Sequence, residues 1–330
     1  MREVAQLAGV AMSSVSRVLS GHPDVSLDMR RRVLEAVDEL GYKPDLLAQS
    51  MRRRETLSVG FVVGDISNPL FAKIVAGAET TLREAGYSML LTNSEGDPDL
   101  DADHIRLLEQ RRVDGLILSL AQQGHPATVS ELERLDLPIV VIDRELPRQL
   151  APSYVLSDHR RGMRAAVEHL LDLGHRRIGL IIGQPVRPSI ERRRALEDTF
   201  LERNLAATYE VLEGTYSPEH GATAMRELLD RPDAPTAVIA GGNQLMIGAL
   251  QVVSERGLEL GGELSFVGCD DTAIAELYRP PIAVIRRDTG GLGRAAAELL
   301  LRRLRGEEAS EVVLPTEFVP RASCGPPPNV

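Results

Sequence analysis

The sequence is poor in the residues that mark several large protein classes. Its only cysteines, Cys269 and Cys324, lie far apart and without metal-ligand spacing, which excludes a disulfide scaffold or a zinc ribbon and implies a reducing compartment. No apolar run approaches the roughly 18 residues that cross a bilayer, and the N-terminus carries no signal-peptide core, so a cytoplasmic protein without a membrane partner is expected. Neither a Gly-x-Ser-x-Gly elbow nor a P-loop appears. The seven histidines (22, 104, 125, 159, 169, 175 and 220) show no metal spacing, and Cys269 has no evident histidine partner. Gly290-Gly291-Leu292-Gly293 leads into a helix but lacks the full dinucleotide pattern and its downstream acid. An enzyme, a metal and a cofactor are therefore not expected.

Positive charge is also scarce. The net charge is −10, and it is unevenly spread: residues 1–56 hold nine Lys/Arg against eight Asp/Glu, leaving 29 against 40 for the rest. Phosphates would repel that acidic body, so any contact with nucleic acid is confined to the N-terminal region.

That region, MREVAQLAGVAMSSVSRVLSG, reads as two short helices about a tight turn. Val4, Ala5 and Leu7 form an apolar stripe, Gly9 interrupts it, and Val15, Val18 and Leu19 resume it at helical spacing. A small residue, a turn glycine and a buried aliphatic in that order describe a helix-turn-helix. A third helix starts at Ser26, a good N-cap, carries the stripe Val33, Leu34, Val37 and Leu40, and ends at Gly41. Without further information, a small helical bundle with a solvated basic face has the same pattern.

EVAQLAGVAMSSVSRVLSG, then DVS, then ELGYKPDLLAQSM, resembles the DNA-binding headpiece and hinge of the LacI/GalR (lactose-repressor) family of bacterial transcription regulators. The resemblance implies a headpiece over 1–44, a hinge helix over 45–56 and an effector-binding, dimerising domain over 57–330. Met12, Ser13 and Arg17 match the positions that read bases, arginine by its bidentate fit to guanine and methionine by apolar contact, for instance with a thymine methyl. Ser14 and Ser16 match phosphate contacts, and Met51 stands where a leucine pair wedges into the minor groove. Two local departures weaken this match. The chain starts close to the first helix, which lacks the family's threonine cap, and Ala11 replaces a capping serine. Losing a cap costs on the order of 1 kcal/mol. A two-lobed sensor with impaired DNA binding is accordingly the alternative expectation.

Beyond Leu57, short Val/Ile/Leu strands alternate with amphipathic helices, which points to parallel sheets covered on both faces and to two doubly wound lobes. The fold class is α/β. By resemblance the lobes form a periplasmic-binding-protein-like domain, one taking about 57–157 and 287–316, the other about 158–286 and 317–330. The tail CGPPPNV is short and not helical, so a homodimer on a near-palindromic operator is expected and a tetramer-forming helix is not.

Ligands in open parallel sheets bind beyond the C-terminal strand ends. Residues there include Asp65, Asn68 and Phe71 in DISNPLF, then Asp143, Tyr216, Asn243 and Asp270. By resemblance, Asp143, Arg192, Tyr216, Asn243, Asp270 and Arg287 hold a small-molecule effector, with the 65–71 loop closing one side. Carboxylates and an arginine fork suit sugar hydroxyls, and an aromatic ring suits a sugar's apolar face. Plainer readings exist for each. Asp143 and Asp270 could cap turns, Tyr216 could be a half-buried core ring, and Asn68-Pro69 is a helix start. Here the pocket also departs from the family, with Gly242-Asn243 for Asn-Asp, Cys269 for an aromatic and Arg287 for glutamine. Arg144, Arg187, Arg192 and Arg287 together make it basic, so a sugar or an acidic sugar derivative is the expected effector.

Overall fold

The computed structural model describes residues 1–19, 22–42 and 55–328. Lys43–Arg54 lie outside the described residues, and with them Met51 and nearly all of the expected hinge. The chain forms two compact units, Met1–Leu57 and Ser58–Val330.

In the first unit, α1 (Arg2–Leu7), α2 (Met12–Leu19) and α3 (Leu27–Glu39) enclose Val4, Ala5, Ala8, Val15, Val18, Val33 and Ala36. Gly9 has φ +62°, the left-handed conformation that the turn between α1 and α2 demands. The Ser26 hydroxyl caps α3 by accepting from the Met29 N–H at 3.3 Å. Neither earlier helix has such a cap: α1 starts without a side-chain bond, and at α2 the Ala11 carbonyl accepts from Ser14 and Val15. The expected stripe is broader than the core. Leu7, Leu34 and Leu40 are 47%, 46% and 43% exposed, because valine and alanine hold the helix contacts and the leucines fall on the flanks.

The second unit opens with β1 (Ser58–Val63), α4 (Pro69–Glu84), β2 (Ser88–Asn93), α5 (Pro98–Gln110), β3 (Gly115–Ser119), α6 (Pro126–Leu132), β4 (Ile139–Ile142) and β5 (Ser153–Asp158). A second run repeats the pattern: α7 (His159–Asp172), β6 (Ile178–Ile182), α8 (Arg187–Glu202), β7 (Tyr209–Glu213), α9 (Pro218–Leu229), β8 (Ala237–Ala240), α10 (Asn243–Arg256), β9 (Ser265–Cys269), α11 (Ala273–Leu277) and β10 (Ala283–Arg287). Then α12 (Thr289–Leu304) returns to the first run, packing with α4 over β1, β3 and β4. The last strand, β11 (Glu311–Val319), joins both sheets: Glu311–Pro315 pair parallel with Tyr154–Asp158, and Thr316–Val319 pair antiparallel with Arg287–Val284.

Strand order is therefore β2-β1-β3-β4-β5 in one lobe and β7-β6-β8-β9-β10 in the other. Each is the doubly wound order whose switch points lie between β1 and β3 and between β6 and β8. Inner strands such as β3, β4, β6, β8 and β9 are buried along their whole length, as their unbroken aliphatic runs require. The edge strands β2 and β7 are half-exposed. Each fully buried Val, Leu or Ile contributes about 1.5–3 kcal/mol, so the strands that carry the site end on a stiff platform.

Two elements were not evident from periodicity. β11 runs through Pro315, a residue that breaks strand patterns, and its burial alternates as it changes partners. The helix α8 begins at Arg187, with Pro188 in its first turn, where a missing N–H is tolerated. Among the described residues no helix is long and apolar enough to cross a membrane.

Candidate functional site

Val15 and Val18 fix α2 to the core of its unit, and this leaves one face outward. Met12 is 50% exposed, Ser13 and Arg17 are exposed, and Ser14 and Ser16 are half-buried. A short polar face with one arginine and one flexible apolar side chain fits the base edges of a major groove. On α3, Arg31 is already committed to Asp28 at 2.8 Å and Glu35 at 3.2 Å, and Arg32 to Asp28 at 3.2 Å.

In the second unit, the lobes meet at strand C-termini that are equivalent by topology. Asp143 follows β4 and Asp270 follows β9, with φ +48° and +72°. Aspartate tolerates this left-handed region but rarely occupies it without cause. Both carboxylates meet Arg287, at the end of β10. It donates from Nη1 to Asp143 Oδ2 at 2.6 Å and from Nε to Asp270 Oδ1 at 2.6 Å. Asp143 is further fixed by the Ser157 N–H at 2.6 Å and hydroxyl at 2.9 Å. One guanidinium thus joins an aspartate of each lobe.

A second bridge uses Asn68 and Asn243, whose amides bond reciprocally at 2.7 and 3.3 Å. Asn68 is at once the cap of α4, accepting from the Leu70 N–H at 3.0 Å, so the helix-start reading holds for it beside its bond to Asn243. Further from these, the Gln123 side chain accepts from the Arg187 N–H at 3.0 Å and Arg187 pairs with Glu145 at 2.8 Å.

Arg192 projects from the buried face of α8 and donates to the Gly241 carbonyl at 2.7 Å. Its neighbours Arg193 and Arg194 pair instead with Glu197 and Glu191 on the surface. The Tyr216 ring sits against Gly183 and Gly242, where a Cβ would lie 2.2 and 3.0 Å from ring atoms, so the close approach requires glycine at least at 183. Its hydroxyl is 2.7 Å from Ser189 Oγ, and its ring packs on the core under α9 and α10. Asp65 is taken up by its own turn, accepting from Ser67 N and Oγ, and Phe71, in the first turn of α4, packs against the core. The structure therefore brings Asn68, Asp143, Arg192, Asn243, Asp270 and Arg287 together, and leaves Asp65 and Phe71 aside. A cavity of 1320 Å³ opens next to them, reached by Asn243, Asp270 and Arg287 and walled by α4, α11 and the start of α12.

Sequence reasoning missed His159 and Ser189. His159 is 2% exposed, with Nε2 3.4 Å from Asp143 Oδ1 and Nδ1 3.4 Å from Arg192 Nη2. Its position directly after Ser157-Asp158, at the end of β5, is the signal that could have found it.

Burial opposes charge on Asp143 and Asp270. The His159 ring, Arg287 and the Ser157 N–H outweigh it at Asp143, and Arg287 does so at Asp270, which holds both carboxyls below the usual range. His159 is pushed from its ordinary 6.5 down to about 4, by burial first, with Arg192 and Arg287 adding to it against the pull of Asp143. Its sign follows from linkage. The unfolded chain takes up a proton near pH 6.5 that the folded site resists until about pH 4. Stability from this group is thus complete above pH 6.5 and lost progressively toward pH 4, by on the order of 3 kcal/mol. We predict that the melting temperature falls more steeply between pH 6.5 and 4.5 in the wild type than in His159→Asn. Parallel curves would contradict the assignment.

A helix-turn-helix unit in one chain with a two-lobed, ligand-cleft α/β unit defines a DNA-binding regulator carrying a small-molecule sensor. Residues 1–45 match the family model for bacterial regulatory proteins of the lacI family, and 167–324 match the periplasmic binding protein-like domain. The chain is 32% identical to the HTH-type transcriptional repressor PurR of Haemophilus influenzae (strain PittEE) over 310 residues, 92% of this chain and 90% of the relative. It is also 32% identical to the ribose operon repressor of Haemophilus influenzae (strain ATCC 51907 / DSM 11121 / KW20 / Rd), covering 92% of each. Among solved structures, the lac repressor dimer bound to operator and the anti-inducer ONPF superimposes with a TM-score of 0.85 at 27% identity over 97% of both chains. The transcriptional regulator CelR in complex with cellobiose gives 0.74 at 32% identity, over 97% of this chain and 98% of the other. The chain belongs to the LacI family of bacterial regulatory proteins. It is a DNA-binding transcription regulator of the repressor class with an effector-binding domain.

Proposed function

We propose that the protein acts in the cytoplasm as a homodimer, binds a near-palindromic operator, and works by binding alone, without catalysis. Residues 1–44 serve as the headpiece, 45–56 as the hinge and 57–330 as the effector domain, its lobes divided near 157/158, 286/287 and 316/317. Met12, Ser13 and Arg17 read bases, Ser14 and Ser16 hold phosphates, and Met51 wedges the minor groove. The effector, a sugar or an acidic sugar derivative, binds where the lobes meet. Asn68, Asp143, Arg192, Asn243, Asp270 and Arg287 form that site, with Tyr216 bracing it and the segment from Asp65 to Phe71 closing one side. Effector binding shifts the lobe arrangement, and the hinge spacing of the dimer shifts with it.

The observation that supports this most is the convergence on Arg287 of two topologically equivalent aspartates from different lobes. Any change in lobe spacing must stretch or remake those bonds, which links the cleft to lobe geometry. We predict that Asn243→Ala abolishes the response of operator binding to neutral and acidic monosaccharides while leaving ligand-free operator affinity within about threefold. Anisotropy titrations of labelled operator with each sugar test this, and a response that survives Asn243→Ala would count against the site.

A further inference from the structure

The bond between Arg287 and Asp143 is built from two halves, each fixed in its own lobe. Arg287 ends β10, which pairs with β9, and Asp270 follows that same β9. The bonds from Arg287 Nε and Nη2 to Asp270, at 2.6 and 3.4 Å, therefore stay inside one lobe and aim the guanidinium. Asp143 follows β4 in the other sheet. There the N–H and hydroxyl of Ser157, on the neighbouring β5, hold its carboxylate at 2.6 and 2.9 Å. Between these two anchored groups, Arg287 Nη1 crosses to Asp143 Oδ2 at 2.6 Å.

Other contacts also span the lobes, and burial and charge separate them in strength. The side chains of Arg187 and Glu145 are 20% and 60% exposed, so water screens that pair. Asn68 and Asn243 exchange bonds between neutral amides. The side chains of Arg287 and Asp143 are 8% and 5% exposed, so a charge-assisted bond acts there with little screening. Asp143 Oδ2 already accepts from Ser157 and from Arg287. A ligand hydroxyl that takes this oxygen competes with Nη1. A neutral side chain at position 287, such as glutamine, brings no charge with which to hold two carboxylates.

We propose that Arg287 is a latch: anchored by Asp270 in its own lobe, it fixes the spacing of the lobes through its bond to Asp143, and an effector that engages Asp143 releases it. The inference rests on the reading of this cleft as the effector site and deepens it by naming the bond that the ligand breaks. Ligand binding and lobe movement then share one carboxylate oxygen, which gives the ligand the differential contact between two lobe arrangements that a conformational response requires.

Spin labels on the full chain test it. Gln122→Cys and Arg194→Cys place one label on each side of the cleft: Gln123 accepts from the N–H of Arg187, which opens α8, and Arg194 is exposed on that helix. Cys324→Ser removes the half-buried native thiol, and Cys269 is fully buried. Dilution with unlabelled chain leaves the within-chain distance to be read by double electron–electron resonance. The expected result is one narrow distance with Arg287 and Asp143 intact, lengthened or broadened by more than about 2 Å in Arg287→Gln and in Asp143→Asn. Combining the two should add nothing, since either breaks the same bond. Circular-dichroism melts verify folding, and Asp143→Asn, which leaves Arg287 paired with Asp270, keeps the test alive if Arg287→Gln fails to fold. Unchanged distances in folded variants overturn the proposal, as do shifts that add in the double variant. Ribose, glucose, gluconate and glucose 6-phosphate are then added to the otherwise unaltered labelled chain. A sugar that changes operator binding should move the distance as the variants do, and one that changes operator binding without moving it overturns the release. The variants report on the latch whether or not a sugar binds. An operator response to none of the four counts against the effector reading and leaves the hold of Arg287 on the lobes, whereas unchanged distances remove the latch and leave the effector reading.

Discussion

Arg287→Ala is expected to destabilise the effector unit by about 3–5 kcal/mol, because it strands two buried carboxylates that share one counter-charge. Asp143 is 4% exposed and Asp270 5%, so neither can recover its hydration without the lobes moving apart. For a unit of this size the loss corresponds to a fall in melting temperature of roughly 10 °C. Arg287→Gln keeps a donor but not the charge, so it should lose nearly as much. Adding Asp270→Asn to Arg287→Gln removes one stranded carboxylate and should restore part of the stability, a coupling that a double-mutant cycle reads directly. Thermal melts at neutral pH test both statements. An unchanged melting temperature in Arg287→Ala would mean that the bridge is not formed in solution.

Arg17→Ala carries the second large effect. Arg17 lies on the exposed face of α2, whose opposite side is anchored by Val15 and Val18. A bidentate contact to guanine discriminates by about 1–3 kcal/mol, so specific binding should weaken about 10- to 100-fold while non-specific binding changes little. Arg31→Ala is the matched control. It removes a cation of the same unit whose charge is spent on Asp28 and Glu35, and exposed pairs of that kind are worth at most about 1 kcal/mol. Equal losses on specific and non-specific DNA for Arg17→Ala would argue against base reading.

Much of this arrangement was legible in the sequence, and the rest was hidden for physical reasons. Aliphatic runs marked the strands, and the polar residues just after them marked Asp143, Asn243 and Asp270, because doubly wound sheets present their C-terminal ends to ligands. The headpiece was legible from Gly9 and its flanking valines. Arg192 needed the family resemblance, since it lies inside a helix among arginines of identical type and only the helix face decides which one turns inward. The bridge from Arg287 to Asp143 spans 144 residues and depends on the passage of the chain from one lobe to the other, which no local pattern encodes. Asp65 looked equally suited to the cleft, yet the N–H and hydroxyl of Ser67 satisfy it locally. Leu34 and Leu40 show the same limit in the headpiece, where periodicity marks a face but not how much of it the neighbours cover.

The central claim is sequence-selective DNA binding under effector control, and one measurement reaches it most directly. Fluorescence anisotropy of the full chain would be followed on a near-palindromic operator with a central CG step and on a scrambled duplex, at two salt concentrations. The operator should bind about a thousandfold tighter or more at physiological salt, with both affinities falling as salt rises. Equal affinities on the two duplexes, from a protein shown to be folded and dimeric, would contradict it.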